Sequence, residues 1–344
     1  MIMIEELTPD SVDVGVAAHY GDPMREQRTL ATAVGLVDRS NRDVIAVPGA
    51  ERASWLHTLT TQHLADLTAG QGSELLVLSP HGHLEHHAYV TEDGTTAWLD
   101  TEPGTGAGLL EYLETMRFFS RVEPRDATAE MAVLSLVGPD AAAVVDGLGA
   151  PRIAAVPGPK FAAGSVAAGP TALYQVRPFE GGLARRVPLG VDLLVPRESK
   201  DAVAERLGVP RAGLWAYEAI RVAHRIPRLG WESDHKTIPA EAGFMAAAVH
   251  LEKGCYRGQE TVARVHHLGR PPRRLVLLHL DGVATDNPPP HGTPVTLDGR
   301  VVGFVGTAVR HYELGMIVLA VLKRNVPDDA QLQVAESAAA VDPA

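Results

Sequence analysis

The chain has 344 residues, of which 45% are hydrophobic, and its 42 acidic and 31 basic side chains give a formal net charge of −11. Its length predicts two or three domains with sizeable cores, and its acidity argues against bulk binding of nucleic acid. A single cysteine excludes an internal disulfide and favours a reducing compartment. Since no stretch reaches the roughly 20 apolar residues of a membrane helix, we expect a cytoplasmic protein that does not enter membranes.

The N-terminal segment, residues 1–30, is predicted to act as a lid. It begins with acidic residues instead of the basic start and apolar run of a signal peptide, so no targeting signal is expected. His19 and Tyr20 lie in its second half and invite an acid/base assignment. A purely structural role in the lid accounts for them equally well.

An internal repeat follows, in which an apolar strand, a glycine turn and a helix recur at an offset of 89 residues, starting at Val44 and Val133. After the first copy, strands are predicted at 84–90 and 97–100 and a helix at 108–116. After the second copy, strands are predicted at 172–176 and 191–195 and a helix near 198–207. Two similar α+β units in tandem, 31–125 and 126–270, are the economical interpretation. Chance recurrence of a common strand–turn–helix element is the alternative.

The C-terminal region is predicted to be rich in β-structure. A helix at 212–225 precedes it, and a proline-rich stretch at 286–290 can be neither helix interior nor central strand. Strands are predicted at 275–280, 294–297, 301–306 and 316–322. Asp298-Gly299 between two of them is a strong hairpin signal. Residues 271–334 should therefore form a small barrel or sandwich, and the Ala-rich tail at 335–344 is expected to be disordered.

The lone cysteine lies in a stretch whose neighbours suggest a functional site. The stretch reads Lys253-Gly254-Cys255-Tyr256-Arg257-Gly258-Gln259-Glu260. Its glycines permit sharp turns, cations flank the thiol, and a helix is predicted to begin just after it. Because helix N-termini favour anions, the Cys255 thiol is expected to ionise readily. Burial as a small hydrophobe is the alternative, and the spacing alone favours neither.

Basic side chains concentrate around this motif. Six of them fall within 22 residues, namely Lys253, Arg257, Arg264, Arg270, Arg273 and Arg274. A pocket for an anionic ligand beside Cys255 is the functional interpretation. A solvated helix face combined with an interdomain ion-pair cluster is the alternative.

Four histidines form a second candidate site, His81, His83, His86 and His87. On a regular strand, His83, Glu85 and His87 would share one face, and two histidines with a carboxylate can bind a metal. The spacing supplies no complete coordination set, so no firm metal site is predicted. A polar lining of a ligand cavity and a solvated strand face are the alternatives.

Together these features resemble the glycine-cleavage T-protein (aminomethyltransferase) superfamily, and in particular the YgfZ family of folate-binding proteins linked to iron–sulfur cluster assembly. Residues 253–260 match the K-G-C-Y-x-G-Q-E signature of that family at every fixed position. Similar segments occur at 19–23, 26–27, 37–40, 59–62 and 238–242. The resemblance implies an α+β, T-protein-like fold over residues 31–270, with two interlocked α+β lobes around a central tetrahydrofolate cavity and a C-terminal β-barrel that closes over it.

The departures from the superfamily pattern matter as much. A catalytic aspartate of the aminomethyltransferases lies in a G-G-I-I-D-D strand, and the matching residues 82–87 place His86 at the aspartate position. A folate-contacting glutamate follows an arginine in their L-R-L-E helix, and here Arg221 is kept while Ala223 replaces the glutamate. Alanine cannot position folate or stabilise developing positive charge. We therefore do not expect classical aminomethyl transfer.

The resemblance implies a folate-binding accessory protein for assembly, insertion or repair of the clusters of 4Fe–4S proteins, with an indirect effect on tRNA modification. The cofactor would be tetrahydrofolate or a derivative, and the partners would be iron–sulfur client proteins or cluster carriers. An iron–sulfur cluster would be bound only transiently, because one thiolate cannot supply the usual four ligands. A folate-dependent one-carbon transferase and a non-enzymatic folate-sensing scaffold are the alternatives. The protein is expected to be a monomer.

Site residues follow from the motif and the resemblance. Cys255 and Lys253 are the expected catalytic residues, and Cys255 is also a possible transient iron ligand. The expected motif lining comprises Gly254, Tyr256, Arg257, Gly258, Gln259 and Glu260. The expected contacts to folate or another anion are Arg221, Arg264, His86, Tyr20 and Trp231. For Trp231, a place in the core is the alternative.

Overall fold

The computed structural model describes residues 5–7, 11–147, 174–282 and 287–343. The first residues of the strand predicted at 172–176 and the first residue of the proline-rich stretch lie outside these ranges. The helices are α1 (Pro23–Thr32), α2 (Arg52–Leu59), α3 (Gly106–Thr115), α4 (Ala141–Gly147), α5 (Lys200–Leu207), α6 (Leu214–Ala223), α7 (Met245–Ala248) and α8 (Gln259–Leu268). None of these helices is long and apolar enough to cross a membrane.

The strands are β1 (Glu5–Glu6), β2 (Ala17–His19), β3 (Gly35–Asp38), β4 (Asp43–Pro48), β5 (Gln71–Leu78), β6 (Leu84–Glu92), β7 (Thr96–Thr101), β8 (Arg125–Asp126), β9 (Met131–Val137), β10 (Tyr174–Phe179), β11 (Gly182–Val187), β12 (Gly190–Pro196), β13 (Arg211–Ala212), β14 (Arg273–Leu280), β15 (Pro294–Leu297), β16 (Arg300–His311), β17 (Gly315–Lys323), β18 (Leu332–Val334) and β19 (Ser337–Val341). The first two pair only with each other, whereas β3–β13 form one large sheet and β14–β19 form a barrel.

Local sequence signals set several helix ends. Asp22 caps α1, since its Oδ1 accepts the backbone N–H of Arg25 at 3.0 Å, and Pro23 occupies the first helical position. Gly208 and Gly269 end α5 and α8 in the left-handed conformation, with φ of 63° and 65°. For α8, the glycine signal marks the C-terminal end, and the helix begins at Gln259, just after the cysteine, as predicted.

The large sheet has the strand order β13-β3-β9-β12-β11-β10-β5-β6-β7-β4-β8. Of its pairs, β13–β3 is parallel, and the others are antiparallel. Consecutive strands β3 and β4 lie in opposite halves of the sheet, because β3 pairs with β9 and β13 while β4 pairs with β7 and β8. The two α+β halves are therefore interlocked, as predicted, and they do not divide at residue 125.

The two faces of the sheet differ in character. The outer face is apolar and is covered by helices, with Leu75, Val77 and Ala88 packing against α2 and α3, and with a second cluster around α4 and α5. The inner face carries polar side chains that pair across strands, because alternate residues point to the same side. Glu74 lies opposite Tyr89 in register. This inner face is covered by α6 and by the segment that follows it.

The C-terminal region forms a closed six-stranded barrel in the order β14-β17-β16-β15-β18-β19. Asp298 and Gly299 link β15 to β16 with φ of 49° and 74°, so the predicted tight hairpin is confirmed. The prediction of a disordered tail at 335–344 is wrong for Ser337–Val341, which form β19 between β18 and β14. Closure by this strand removes the open edges that both neighbours would otherwise expose.

Polar contacts attach the barrel to the sheet region. The Gln27 side chain in α1 donates to the carbonyl of Arg310 at 2.9 Å and accepts the N–H of Tyr312 at 2.8 Å. The Thr307 hydroxyl donates to Glu232 at 2.6 Å. Apolar side chains of α6 also pack on the barrel strands. The barrel is thus fixed to α6, the helix that covers the inner face.

Candidate functional site

A buried network of ion pairs fills much of the inner face. Arg42 donates to the carboxylates of Asp100 and Glu102 at 2.9 and 2.7 Å. Arg185 donates to Asp100 at 2.6 Å and to Asp192 at 3.0 Å. Burial alone would raise the pKa of Asp100, but Arg185 and Arg42 outweigh burial and lower that pKa to about 2. Asp100 is therefore charged and paired at neutral pH, as a buried charge needs to be.

The network continues into α6, the helix that contains Arg221. Arg228 binds both Glu102 and Glu218, and Glu218 in turn binds Arg221. Arg221 is fully buried, and every nitrogen of its guanidinium donates to a protein oxygen. Its acceptors are Glu218, Glu232, Thr307 and the carbonyl of Ile226. The contact of Arg221 with folate or another anion stays a prediction, and in this structure all donors of its guanidinium are engaged within the protein.

A cavity lies beside the network, between the inner face and α6. Its polar lining consists of Arg39, Tyr89, Asp192 and Tyr217, and Ile226 contributes to its apolar lining. Its empty volume is about 310 Å³, which includes space open to solvent. The guanidinium carbon of Arg39 lies 4.3 Å from the Tyr217 ring centroid. Two tyrosine rings, a cation and a carboxylate suit a flat ligand with polar edges.

A chain of three buried side chains lies next to Tyr89. The Tyr174 hydroxyl donates to one carboxylate oxygen of Glu74, and the other carboxylate oxygen lies 3.0 Å from Nε2 of His87. The His87 ring packs edge-on against the Tyr89 ring at a centroid distance of 5.3 Å. Among the described residues, no hydrogen-bond partner reaches the buried Nδ1 of His87. Burial, followed by the charge of Glu74, raises the pKa of Tyr174 well above its usual value, so its hydroxyl remains a donor.

His86 lies on the opposite face of the same strand. A side chain on Gly108 of α3 would come within 3.3 Å of the His86 ring, and the Tyr112 ring is 6.3 Å away. Burial, followed by the charge of Arg257, lowers the pKa of His86 to about 4, so its ring is neutral at pH 7. His86 is not among the residues that line the cavity, and its contact with folate stays a prediction. His87, at the second aspartate position of the strand motif, is the histidine on the inner face.

The histidine cluster does not assemble a metal site. Strand β6 begins only at Leu84, and its register with β5 shifts between Val77 and Leu78, which leaves Glu85 unpaired in a bulge. The bulge breaks the alternation that would have put His83, Glu85 and His87 on one face. Over the described ranges, no group of three metal-ligating side chains has a suitable arrangement.

Lys253 anchors the cysteine motif. Its buried ammonium donates to the backbone carbonyls of His57, Thr60 and Gln62, at the end of α2 and just beyond it. Burial lowers the pKa of Lys253 to about 8. Helix C-terminal carbonyls favour such a cation. Lys253 is thus bound to the backbone in this structure, and its catalytic role stays a prediction.

Gly258 docks the motif against the hairpin that joins β5 to β6. Its φ is 81°, and an added Cβ would lie 2.6 Å from the carbonyl oxygen of Ser79 and 2.8 Å from Gly82. Only glycine allows this approach. Arg257, the preceding residue, pairs with Glu85 at 3.2 Å. The motif therefore wraps around the hairpin tip.

Cys255 is an exposed free thiol, so the alternative of a buried small hydrophobe is wrong. Its neighbour Tyr256 is buried, and burial raises the pKa of that phenol to about 12. The Gln259 amide donates to the carbonyl of Lys253 at 3.1 Å and closes the loop, while Gly254 is exposed like the thiol. The contacts of the motif go to the end of α2, to Tyr112 of α3 and to the hairpin.

The basic cluster is largely divided among ion pairs. Arg273 binds Asp234 and Glu241 at 2.7 and 2.9 Å, and Arg274 binds Asp328 at 2.5 Å. Arg264, like Glu260, is exposed on α8, and neither lines the cavity. The ion-pair alternative therefore describes most of the cluster, and the anion pocket predicted beside Cys255 is not assembled.

Tyr20 and Trp231 lie apart from the cavity lining. Burial raises the pKa of Tyr20, opposed by the charge of Arg211 at the β13 edge of the sheet. The half-buried Trp231 ring lies 5.5 Å from the guanidinium of Arg228 and 5.4 Å from the ring of His291 in the barrel. Trp231 therefore lies where the ion-pair network meets the barrel.

Sequence reasoning missed the polar residues of the inner face. They are Arg39, Glu74, Tyr89, Tyr174, Asp192 and Tyr217. A signal was present in one of them, because Asp192 interrupts an otherwise apolar strand. A charge inside such a strand must be paired or functional.

Comparisons with known proteins agree with this fold. Aminomethyltransferases of Symbiobacterium thermophilum and Geobacillus kaustophilus are 27% and 29% identical, over 84% and 88% of this chain and 78% and 82% of their own lengths. A chloroplastic protein of Arabidopsis thaliana, whose name as a transferase is provisional, is 28% identical over 84% of this chain. This match covers 65% of the length of the Arabidopsis protein, which is less than two thirds.

The fold and the family follow from two further matches. The crystal structure of the glycine cleavage system aminomethyltransferase T from Bartonella henselae matches with a TM-score of 0.80 at 18% identity, covering 100% of this chain and 93% of that one, which shows a shared T-protein fold. A family model described as the GCVT N-terminal domain matches residues 20–253, more than half of the chain. The chain therefore belongs to the GCVT N-terminal domain family of the aminomethyltransferase superfamily.

Proposed function

We propose that this protein binds a reduced folate in the inner-face cavity and uses the Cys255 motif to assist assembly, insertion or repair of the clusters of 4Fe–4S proteins. The observation that carries the proposal is the combination, in one chain of this family, of a cavity lined by Tyr89 and Tyr217 with a cysteine loop that is exposed to solvent. The YgfZ-like signature at 253–260 supports the iron–sulfur part.

The side chains that line the cavity offer groups that a reduced folate would use. A reduced pterin ring carries N–H groups along its edge, and the cavity offers two aromatic rings and the carboxylate of Asp192 as an acceptor. Tetrahydrofolate bound here would supply one-carbon chemistry. Tyr89, Tyr217, Arg39 and Asp192 would hold it.

Three substitutions argue against classical aminomethyl transfer. Histidines stand at both aspartate positions of the strand motif, and His86 faces away from the cavity. Ala223 stands where the superfamily helix carries its glutamate. Since neither group can supply a carboxylate to a developing cation, we propose that the fold is used for folate binding without that reaction.

The exposed thiol suits chemistry with a second macromolecule. Cys255 lies on the surface in a loop that Lys253 and Gly258 hold in place. One thiolate supplies one of the four ligands that a cluster usually needs. The remaining ligands would come from the iron–sulfur client or carrier, with the cluster as cargo. A single monomer suffices for this arrangement.

Calorimetry with tetrahydrofolate tests the cavity. Native protein should bind, and Tyr89→Leu should weaken binding at least about 10-fold, because an aromatic contact contributes about 1 kcal/mol beyond its buried area. Tyr312→Leu, on the barrel, is the matched control and should bind like the native protein. If the native protein produces neither heat nor thermal stabilisation, folate is removed from the proposal.

Complementation tests the cysteine. In a deletion strain, Cys255→Ser should fail to restore the activity of 4Fe–4S enzymes, since serine keeps the shape of the side chain but not its thiolate chemistry. The purified variant should retain tetrahydrofolate affinity, which excludes misfolding as the cause. Full restoration by Cys255→Ser would mean that the thiol is dispensable.

A folate-dependent one-carbon transferase is the second candidate, favoured by the buried Tyr174–Glu74–His87 chain, which could support proton transfer. It predicts turnover of an amine or formyl donor with tetrahydrofolate, insensitive to Cys255→Ser. A folate-sensing scaffold, the third candidate, predicts binding without turnover and a structural Cys255. Assaying one-carbon transfer and complementation on the same variant separates all three.

A further inference from the structure

Two adjacent phenylalanines project from the turn that follows α3. Phe118 is 76% exposed and Phe119 is 101% exposed, the highest values among the exposed large hydrophobic side chains of the described residues. The backbone N–H of Ser120 donates to the carbonyl of Arg117 at 2.9 Å, which closes a tight turn with the two rings at its tip. We call residues 117–120 the aromatic turn. Because burial of either ring would be favourable, the isolated chain gains nothing from this exposure.

The aromatic turn is strained and is held at both ends. Phe118 has a φ of 44°, in the left-handed region that a residue other than glycine enters only at a cost. Before the turn, Nε1 of Trp55 in α2 donates to the carbonyl of Met116 at 3.1 Å. After it, the backbone N–H and the Nε of Arg121 donate to the carboxylate of Glu51, at 2.8 and 2.9 Å. Strained backbone that its surroundings hold in place concentrates at functional sites, and a preorganised turn loses less entropy on binding.

The helix that leads into the aromatic turn also contacts the cysteine motif. The Tyr112 ring in α3 lies 5.7 Å from the guanidinium of Arg257, which is two residues after Cys255. The Tyr112 hydroxyl donates to the carbonyl of Leu59 at 3.3 Å, at the end of α2 where the motif is anchored. The aromatic turn and the exposed thiol are therefore carried by elements that are in direct contact.

The charges around the aromatic turn favour a protein partner over a lipid surface. The stretch 111–123 exposes three glutamates and two arginines, namely Glu111, Glu114, Glu123, Arg117 and Arg121. Arg121 is already paired with Glu51 at 2.9 Å, so the surroundings of the rings are acidic on balance. Anionic membranes attract segments rich in lysine and arginine, and a second copy of this chain would bring like charges together. A protein groove with an apolar floor and a basic rim complements this surface.

We propose that the aromatic turn is the docking anchor for the iron–sulfur client or carrier protein. An apolar groove of that protein, with a basic rim, takes Phe118 and Phe119 while its cluster site meets Cys255. The inference rests on the proposed function for the identity of the partner. Aromatic side chains that become buried at the centre of an interface often dominate its binding energy, and two rings held by a fixed turn suit that role.

A double variant, Phe118→Asn with Phe119→Ser, tests the anchor in the full chain. Asparagine tolerates the left-handed φ and serine replaces an exposed ring, so the midpoint of thermal unfolding should not fall. Tetrahydrofolate affinity and the rate of Cys255 alkylation should stay native. In a deletion strain, the double variant should restore the activity of 4Fe–4S enzymes at least about 10-fold less well than the native protein. Leu314→Ser, at an exposed residue of the barrel, is the matched control and should restore it fully.

The outcomes separate this inference from the proposed function. Full restoration by the double variant overturns the anchor and leaves the proposed use of Cys255 intact. Failure of the double variant together with full restoration by Cys255→Ser supports the anchor and removes the thiol from the account.

Photocross-linking gives a direct readout. With p-benzoylphenylalanine in place of Phe119, the protein should cross-link to a 4Fe–4S protein whose activity the double variant fails to restore, and the same probe in place of Leu314 should not. Two results would replace the client as the occupant and overturn the inference. One is a dimer of the native protein in sedimentation that the double variant does not form. The other is binding to phosphatidylserine–phosphatidylcholine vesicles that the double variant loses.

Discussion

Two residues of the cysteine motif show how an exposed thiol can be held in a fixed place. Lys253 binds three backbone carbonyls at the end of α2, and Gly258 presses against the backbone of the β5–β6 hairpin. Cys255 lies between them in the sequence and is exposed. The residues that flank the thiol in sequence therefore fix its position.

Gly258→Ala should destabilise the protein more than the same change at Gly269. Both glycines have left-handed φ angles, 81° and 65°, but only Gly258 would place a Cβ against neighbouring backbone, 2.6 Å from the Ser79 carbonyl. Gly269→Ala should lower the free energy of unfolding by about 1 kcal/mol from φ strain alone. Gly258→Ala should cost about 2 kcal/mol more. Urea denaturation measures both, and equal losses would contradict the close contact.

At the scale of elements, local sequence signals predicted individual helices and turns well. They did not predict how strands that are distant in the sequence pair with each other. The helix α8 and the Asp298-Gly299 hairpin were predictable because capping and turn residues act over a few positions. The faces of His86 and His87 were not, because a one-residue bulge in β6 breaks the alternation assumed from the sequence. The inner-face cavity depends on register between strands that are far apart in the chain.

The tail strand was missed for a similar reason. Ser337–Val341 consist mainly of alanine, which has little preference for strands, so their structure comes from pairing with β14 and β18. Truncation after residue 336 should therefore open the barrel, lower the midpoint of thermal unfolding and promote association through the exposed edges. Removal of residues 343–344 is the control. Calorimetry and size-exclusion chromatography measure the effects, and an unaltered truncated protein would show that β19 is dispensable.

The whole molecule is organised around charges enclosed between the sheet and α6. Arginines Arg42 and Arg185 share Asp100, and Arg42 also binds Glu102. The sequence shows these residues only as scattered charges in or beside strands, because their pairing depends on the interlocked strand order. A buried network of this kind fixes one arrangement of the two halves, since any shift would leave a charge unpaired.

Acid should destabilise the protein through this network. The pKa of Asp100 is lowered from 3.8 to about 2 in the folded state, where burial is outweighed by Arg185 and Arg42. Its contribution is therefore complete above pH 4 and is lost as the pH falls towards 2. Asp100→Asn should lower the free energy of unfolding at pH 7 by about 3 kcal/mol and flatten its decline between pH 4 and 2.

The matched control is Asp201→Asn on the exposed surface of α5. It should leave both the stability at pH 7 and the acid dependence unchanged. Urea denaturation over the pH series measures each variant. A native-like acid profile in Asp100→Asn would show that other groups control the acid transition.

The position of β3 also constrains the order in which the protein can fold during synthesis. Residues Gly35–Asp38 are made early, yet their partners are β9 and the parallel strand Arg211–Ala212. The large sheet therefore cannot be completed until more than 200 residues have left the ribosome. Until then β3 has an open edge, and the nascent chain must wait in a partly paired state.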